Sequence, residues 1–271
     1  MHIQVLGPLS AEVAGRSIVP SAAKPRQMLT LLALRRSSLV SQNSLIDELW
    51  GSKVPASAST TVQTYVMKLR KLLDAAGGAG TGKRVLVTRS SGYSFECDEL
   101  DWHIDVVSFR RTCDTADAAY ANRDFMRAAA QYADALGVWR GNAFQDVPKG
   151  SVLDIEAVHL ETERLYAIER KINAEIMTNN LSTAILDLKG LLREHPLNEN
   201  FCALYMLAMY RAGCAAEAIG YFHTLRKRLS DTLGIDPGPV CQGLFQGMLE
   251  RRADLMLPDH HKLCGSTLLA S

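Results

Sequence analysis

The residues from Ala56 to Cys97 combine a basic amphipathic segment with a strand-and-turn pattern, and they constrain the fold of this chain most strongly. In the first half of this stretch apolar residues recur at helical spacing, at Val62, Val66, Leu69 and Leu73. Polar and basic side chains fall mainly on the other faces of that helix. The run VLVTRSSGYSFEC then alternates and turns at Ser90-Ser91-Gly92, which is typical of a β-hairpin. A basic helix beside a hairpin predicts a winged helix-turn-helix that binds duplex DNA.

The residues before this stretch supply the rest of such a domain. Short alternating segments at 2–6, 11–14 and 17–19 predict a small antiparallel sheet at the N-terminus. Two helices are expected at 27–36 and 44–50, the first with Pro25 near its first turn. Ser41 or Asn43 is a candidate N-cap for the second helix, and Ser57 or Ser59 for the basic helix.

After Cys97 the sequence becomes predominantly helix-forming. We predict helices at 106–122, 124–139, 152–178, 182–194, 199–212, 215–233 and 239–252. Ala184-Ile185 and Ala218-Ile219 stand 34 residues apart in matching helix starts, which is the tetratricopeptide period. The predicted fold is therefore mainly α with a small α+β part, a winged helix-turn-helix followed by a tetratricopeptide-like domain. The expected domains are 1–97 and 102–252, with a disordered tail at 253–271.

Charge is divided unevenly between these two parts. Residues 1–95 contain 12 Lys and Arg against 4 Asp and Glu, a net charge of +8. The remainder contains 18 against 25, a net charge of −7. A basic domain joined to an acidic one is the pattern expected of a nucleic-acid binder tied to a module with another task.

The totals favour a cytoplasmic protein. The longest apolar runs are too short to cross a bilayer, and the N-terminus lacks the pattern of a secretory signal, so neither membrane insertion nor export is expected. The six cysteines are scattered without a C-x-x-C pair, which fits reduced thiols better than a zinc or redox motif.

Four runs carry a resemblance to a known family: AKPRQMLTLLAL, LIDELW, TTVQTYVMKLRKLL and VLVTRSSGYSF. In order and spacing they resemble the OmpR-like winged helix of the Streptomyces antibiotic regulatory proteins. ALGVWRGNAFQDV and LGIDPGP resemble the bacterial transcriptional activation domain of the same family. The resemblance implies a bacterial, nucleoid-associated activator of an antibiotic or other secondary-metabolite cluster. It implies binding to direct repeats near the promoter −35 element, self-association on DNA, and recruitment of RNA polymerase holoenzyme with its sigma factor. The chain ends before the ATPase module of larger members, so nucleotide control is not expected.

The family pattern assigns roles to individual residues of the basic helix. Gln63, Thr64 and Lys68 are expected to contact bases. The residues expected to contact phosphates are Thr60, Thr61, Tyr65, Arg70 and Lys71. Met67 stands where an OmpR-like helix often carries a basic phosphate contact, so this helix is expected to grip DNA less strongly by itself.

Three further basic residues are candidate DNA contacts, and each of them is otherwise an ordinary solvent-exposed side chain. Arg89 at the wing is suited to the minor groove, and otherwise is an exposed hairpin arginine. Lys24 and Arg26 lie at a helix start, where they either contact phosphate or are merely solvated.

Other chemistry finds little support in the sequence. The run GGAGTGK at 77–83 has the glycine and lysine spacing of a phosphate-binding loop. Arg84 stands where such a loop has Ser or Thr, and the segment runs from helix to strand, whereas a phosphate-binding loop runs from strand to helix. We therefore interpret it as a flexible link. His260, His261 and Cys264 are interpreted as exposed tail residues rather than metal ligands. The serines lack a G-x-S-x-G elbow, and no catalytic residue, cofactor or metal site is predicted.

Three alternatives to an activator stay open. A repressor would share the same DNA-binding half. A ligand sensor would use the helical domain as a pocket, for which the sequence offers no converging polar cluster. A non-DNA scaffold would use the helical repeats alone and would leave the wing without a role.

Overall fold

The computed structural model describes residues 1–96 and 102–256. They divide into two compact units, one formed by Met1–Thr112 with Asp134–Leu165, the other by Cys113–Ala133 with the described residues from Tyr166 onward. Most of the described residues are helical and the strands are short, which confirms the predicted fold class.

A four-stranded sheet lies at the N-terminus of the first unit. Its strands are β1 (His2–Gln4), β2 (Ser10–Val13), β3 (Arg16–Ser17) and β7 (His103–Ile104), in the order β3-β2-β1-β7. The three leading strands pair antiparallel, as the sequence predicts. The fourth was not predicted: β7 pairs parallel to β1, with Ile3 opposite Ile104 and both side chains buried.

Three helices follow in the order of a winged helix-turn-helix. They are α1 (Ala23–Leu34), α2 (Gln42–Trp50) and α3 (Ala58–Gly77), with the short strand β4 (Val40–Ser41) before α2. The helix α1 begins four residues earlier than predicted, because Pro25 is accommodated within its first turn, where a missing N–H costs no hydrogen bond. Ser41 is the N-cap of α2, since its Oγ accepts a hydrogen bond from the Ser44 amide at 3.0 Å.

The wing is a three-stranded sheet preceded by a short helix. That helix, α4 (Thr81–Val85), leads into β5 (Leu86–Arg89) and β6 (Gly92–Phe95), and the sheet order is β4-β6-β5. The predicted flexible link at 77–83 is therefore wrong over its second half. The Gly82 amide donates to Asp74 Oδ1 at 2.8 Å, and a Cβ on Gly82 would lie 2.4 Å from the Arg70 carbonyl oxygen, so α4 packs directly on α3.

Three longer helices have residues in both units: α5 (Asp105–Ala121), α6 (Phe125–Leu136) and α7 (Ser151–Met177). Within the first unit, Asp105 at the start of α5 is buried, and its carboxylate accepts hydrogen bonds from the amides of Val5 and Leu6 at 2.8 and 2.9 Å. Burial raises the pKa of this carboxyl, while the hydrogen bonds from those amides oppose the shift.

A second buried carboxylate ties α2 to the start of α7. Glu48 accepts hydrogen bonds from the amides of Gly150 and Val152 at 2.7 and 2.8 Å, and from Gln27 Nε2 at 3.1 Å. The first compact unit thus contains residues 134–165 as well as the winged helix, a grouping that no local sequence pattern indicated.

The second unit contains α8 (Leu181–Glu194), α9 (Glu199–Arg211), α10 (Ala215–Leu233), α11 (Pro239–Leu249) and a 3₁₀ helix at Ala253–Met256. The bounds of α8 to α10 agree with the predictions to within one residue, whereas α11 ends three residues early. Part of the predicted disordered tail is ordered, because Leu255 of the 3₁₀ helix is 2% exposed. The rest of that predicted tail, with His260, His261 and Cys264, lies outside the described residues.

This unit also contains a polar cluster that the sequence did not indicate. The hydroxyls of Tyr132 and Tyr166 both donate to Asp117 Oδ1, and Arg170 Nε donates to the Tyr166 hydroxyl at 2.9 Å. These groups satisfy one another inside the helical unit. No helix formed by residues 1–96 and 102–256 combines the length and apolar composition needed to cross a membrane.

Candidate nucleic-acid interface

The outer side of α3 carries a continuous set of exposed side chains, which we call the recognition face. Val62, Val66 and Leu69 bury the opposite side of the helix, each at 2% exposure or less. Because apolar residues recur every three or four positions, the polar residues between them share the outward side. The recognition face consists of Thr60, Gln63, Thr64, Met67, Lys68 and Lys71.

Three of the predicted residues, Lys24, Tyr65 and Lys68, belong to a ladder of rings and ammonium groups. The ring of Tyr65 stacks on Trp50 with centroids 6.5 Å apart, Lys24 Nζ lies 5.1 Å from the Trp50 ring, and Lys68 Nζ lies 5.9 Å from the Tyr65 ring. The ladder links α1, α2 and α3, and it joins Lys24 of α1 to Lys68 of the recognition face. Lys24 also donates to the Leu49 carbonyl at the end of α2. Trp50 was not among the predicted site residues, and its sequence signal is an aromatic residue directly before Gly51 at the end of a helix.

Two of the three threonines of α3 use their hydroxyl protons within the helix. Thr61 Oγ1 donates to the Ser57 carbonyl at 2.8 Å, and Thr64 Oγ1 donates to the Thr60 carbonyl at 3.0 Å. Each hydroxyl keeps its lone pairs as acceptors, and each side chain keeps its methyl group. The recognition face therefore offers hydrogen-bond donors through Gln63, the two lysines and the Thr60 hydroxyl.

Arg70 connects α3 to the wing. Its Nε and Nη2 donate to the Leu86 carbonyl at 2.9 and 2.6 Å, and Nη2 also donates to Thr88 Oγ1 at 2.8 Å. The structure places this guanidinium on the wing strand β5, so the expected phosphate contact of Arg70 has a competing intramolecular role.

The predicted wing residue Arg89 is also engaged. Its Nη2 lies 2.9 Å from Glu96 Oε1, and its Nε donates to Ser94 Oγ at 3.2 Å. Hydrogen bonds from Ser94 and Arg89 lower the pKa of Glu96. The Arg89 side chain remains 53% exposed, so it is accessible from outside the hairpin.

Arg26 lies away from the recognition face. Its Nε donates to the Pro20 carbonyl at 2.8 Å, and its Nη1 contacts Asp146 Oδ2 at 3.0 Å, in the segment between α6 and α7. The structure therefore brings Lys24, Tyr65 and Lys68 together with the outward residues of α3, and holds Arg26, Arg70 and Arg89 in contacts of their own.

Taken together, a tri-helical core, a wing and an exposed, lysine-bearing third helix define the class of winged helix-turn-helix DNA-binding proteins.

Comparison with known proteins agrees with this class and extends it. Residues 16–95 match the family described as "Transcriptional regulatory protein, C terminal", and residues 104–249 match the "Bacterial transcriptional activator domain". The chain belongs to the Streptomyces antibiotic regulatory protein family of DNA-binding transcriptional activators.

Individual relatives cover nearly the whole chain. Regulatory protein DnrI of Streptomyces peucetius is 37% identical over 257 residues, which are 94% of this chain and 93% of that protein. Regulatory protein AfsR of Streptomyces griseus is 31% identical over 95% of this chain, but the chain spans 25% of AfsR. A solved structure, Mycobacterium tuberculosis EmbR in complex with a low affinity phosphopeptide, superposes with a TM-score of 0.84 at 30% identity, covering 92% of this chain and 65% of EmbR.

Proposed function

We propose that this protein activates a secondary-metabolite gene cluster, such as one for an antibiotic, by binding direct repeats near the promoter −35 element and recruiting RNA polymerase holoenzyme with its sigma factor. The observation that carries the proposal is the recognition face of α3 beside the wing, in a chain that also carries an activator domain. The direct repeats and the polymerase contact extend beyond family membership, and they are the part that experiment must test.

On DNA, α3 lies in the major groove. Gln63, Thr64 and Lys68 contact base edges, because a lysine ammonium and a side-chain amide match the acceptors and donors displayed there. The residues proposed to contact phosphates are Thr60, Thr61, Tyr65 and Lys71, with Lys24 and Arg26 at α1 and Arg70 on the wing side. Arg89 enters the minor groove after exchanging its contact with Glu96 for the DNA.

The two parts of the chain have different functions in this proposal. Residues 1–97 bind DNA, and residues 102–252 supply the surfaces for polymerase and for a neighbouring copy on the adjacent repeat. Direct repeats place protomers head to tail, and the contact between them is heterologous.

The proposal is tested by in vitro transcription with DNase footprinting on the promoters of the neighbouring gene cluster. The wild-type chain is expected to protect a repeat near −35 and to raise transcript yield. Lys68→Ala and Arg89→Ala are expected to lose both effects, whereas Lys227→Ala, which removes an exposed cation of α10 outside residues 1–97, keeps the protection of the repeat. Folded wild-type protein that protects no repeat contradicts the proposal.

The alternatives predict different outcomes of the same assay. A repressor protects the repeat but lowers the transcript yield. A ligand sensor activates only after a small molecule is added, and a scaffold protects no DNA at any salt concentration.

A further inference from the structure

Met67 is the most exposed of the large apolar residues of α3. Val62, Val66, Leu69 and Leu73 are each at most 2% exposed, whereas Met67 is 50% exposed. A methionine at a solvated helix position gains nothing from the hydrophobic effect unless a partner covers it. Its surroundings on the recognition face indicate what that partner is.

Met67 lies inside the recognition face and not at its border. Residues three and four apart are neighbours on a helix surface, so Met67 adjoins Thr64 and Gln63 on one side and Lys71 on the other. All four side chains are exposed. Any ligand that covers the recognition face therefore also covers the Met67 side chain.

The Met67 side chain cannot make the hydrogen bonds that distinguish most bases. Its thioether is at best a weak acceptor, and the neighbouring Thr64 hydroxyl donates to the Thr60 carbonyl. Together these two residues form an apolar spot between the donors of Gln63 and Lys68. The only methyl group that a standard base pair displays in the major groove is the C5 methyl group of thymine.

We infer that Met67, with the methyl group of Thr64, selects thymine at one position of each repeat by contact with its C5 methyl group. The inference rests on the proposed binding of DNA by α3, and it adds a specificity-determining residue to the three proposed base contacts. The position that lacks the expected basic residue thereby contributes to sequence selection and not to phosphate affinity.

The test starts with duplexes selected by the full chain from a random library. Each thymine is then replaced in turn by deoxyuridine, which lacks only the methyl group, and affinity is measured by fluorescence anisotropy. Wild-type protein is expected to lose about fourfold at one thymine per repeat, the effect of one buried methyl-sized group. Met67→Ala is expected to bind thymine and deoxyuridine equally at that position, while Met67→Leu keeps the preference.

Met126→Ala is the matched control, because Met126 is 76% exposed on α6 and outside the recognition face; its deoxyuridine profile is expected to equal that of the wild type. A Met67→Ala profile identical to the wild type overturns the inference, as does a wild type indifferent to every thymine. In both of these results the protein still binds DNA. If the proposed function itself fails, the protein selects no duplex from the library, and the inference about Met67 fails with it.

Discussion

Replacing Glu48 by Ala is expected to destabilise the first compact unit more than other single changes in α2. Glu48 is 2% exposed, and its carboxylate accepts hydrogen bonds from Gln27 and from the backbone amides of Gly150, Val152 and Leu153. The three amides lie at the N-terminus of α7, where they have no partner within the helix. The carboxylate therefore acts as an N-terminal cap supplied by a residue about one hundred positions away.

The expected loss follows from those hydrogen bonds. A buried group left without its partner costs about 1–3 kcal/mol, and the alanine variant leaves three backbone amides in that state, whereas Gln27 Nε2 keeps its 2.7 Å hydrogen bond to the Glu48 carbonyl oxygen. Water that enters the space left by the side chain recovers part of this cost, so we expect a loss of about 3–5 kcal/mol. At about 2–4 °C per kcal/mol for a unit of this size, the midpoint of unfolding falls by roughly 6–20 °C.

Two measurements check this prediction. Thermal unfolding followed by circular dichroism gives the midpoint, and hydrogen exchange reports the protection of the Gly150, Val152 and Leu153 amides. Asp47→Ala is the control, since Asp47 is an exposed acid on the same helix and its loss is expected to cost at most about 0.5 kcal/mol. A Glu48→Ala protein with the midpoint and amide protection of the control would refute the assigned role.

Three further predictions concern the wing and the thiols. Arg70→Ala is expected to weaken DNA binding and to reduce the log–log slope of affinity against salt by about 0.9, because Arg70 is proposed to contact a phosphate; an unchanged slope would show that its guanidinium acts only by holding the wing. Glu96→Gln is expected to release Arg89 and tighten binding about twofold to fivefold at pH 7, the range for an exposed ion pair. Since the pKa of Glu96 is lowered, its ion pair persists at neutral pH and is lost only as the pH falls through that lowered pKa; equal affinities at pH 7 would contradict it. Cys202 and Cys241 are expected to resist alkylation in the folded protein at pH 8, because burial raises their pKa values to about 11 and about 12; mass spectrometry showing rapid modification would contradict this.

The helices could be predicted because their signals are local. Apolar residues at three- and four-residue spacing predict α3 and the helices that follow residue 102. The charged and polar residues between them in α3 predict which side of that helix is the recognition face. The sequence also identified Met67, but only as a position where the family pattern often has a basic residue. The exposure of its side chain became known only from the structure.

The long-range polar contacts could not be predicted. Nothing near Glu48 or Asp105 in the sequence identifies amides roughly one hundred residues away as their partners, because a buried carboxylate is matched by folded geometry and not by a local pattern. For the same reason the intramolecular partners of Arg70 and Arg26 could not be predicted. A basic residue beside a DNA-binding helix is equally suited to a phosphate or to a carbonyl of its own chain, and only the backbone path of the wing and of the segment before α7 supplies the acceptor.

The most direct measurement of DNA binding by α3 is a salt titration of affinity for a selected repeat. Fluorescence anisotropy would compare the wild type with Lys68→Ala, Lys71→Ala and the control Lys227→Ala. We expect affinity to fall steeply with salt, Lys71→Ala to reduce the log–log slope by about 0.9, and Lys68→Ala to reduce the preference for the repeat over a scrambled duplex. Affinity that is independent of salt, or lysine variants of α3 that equal the control in slope and preference, would contradict DNA binding through the recognition face.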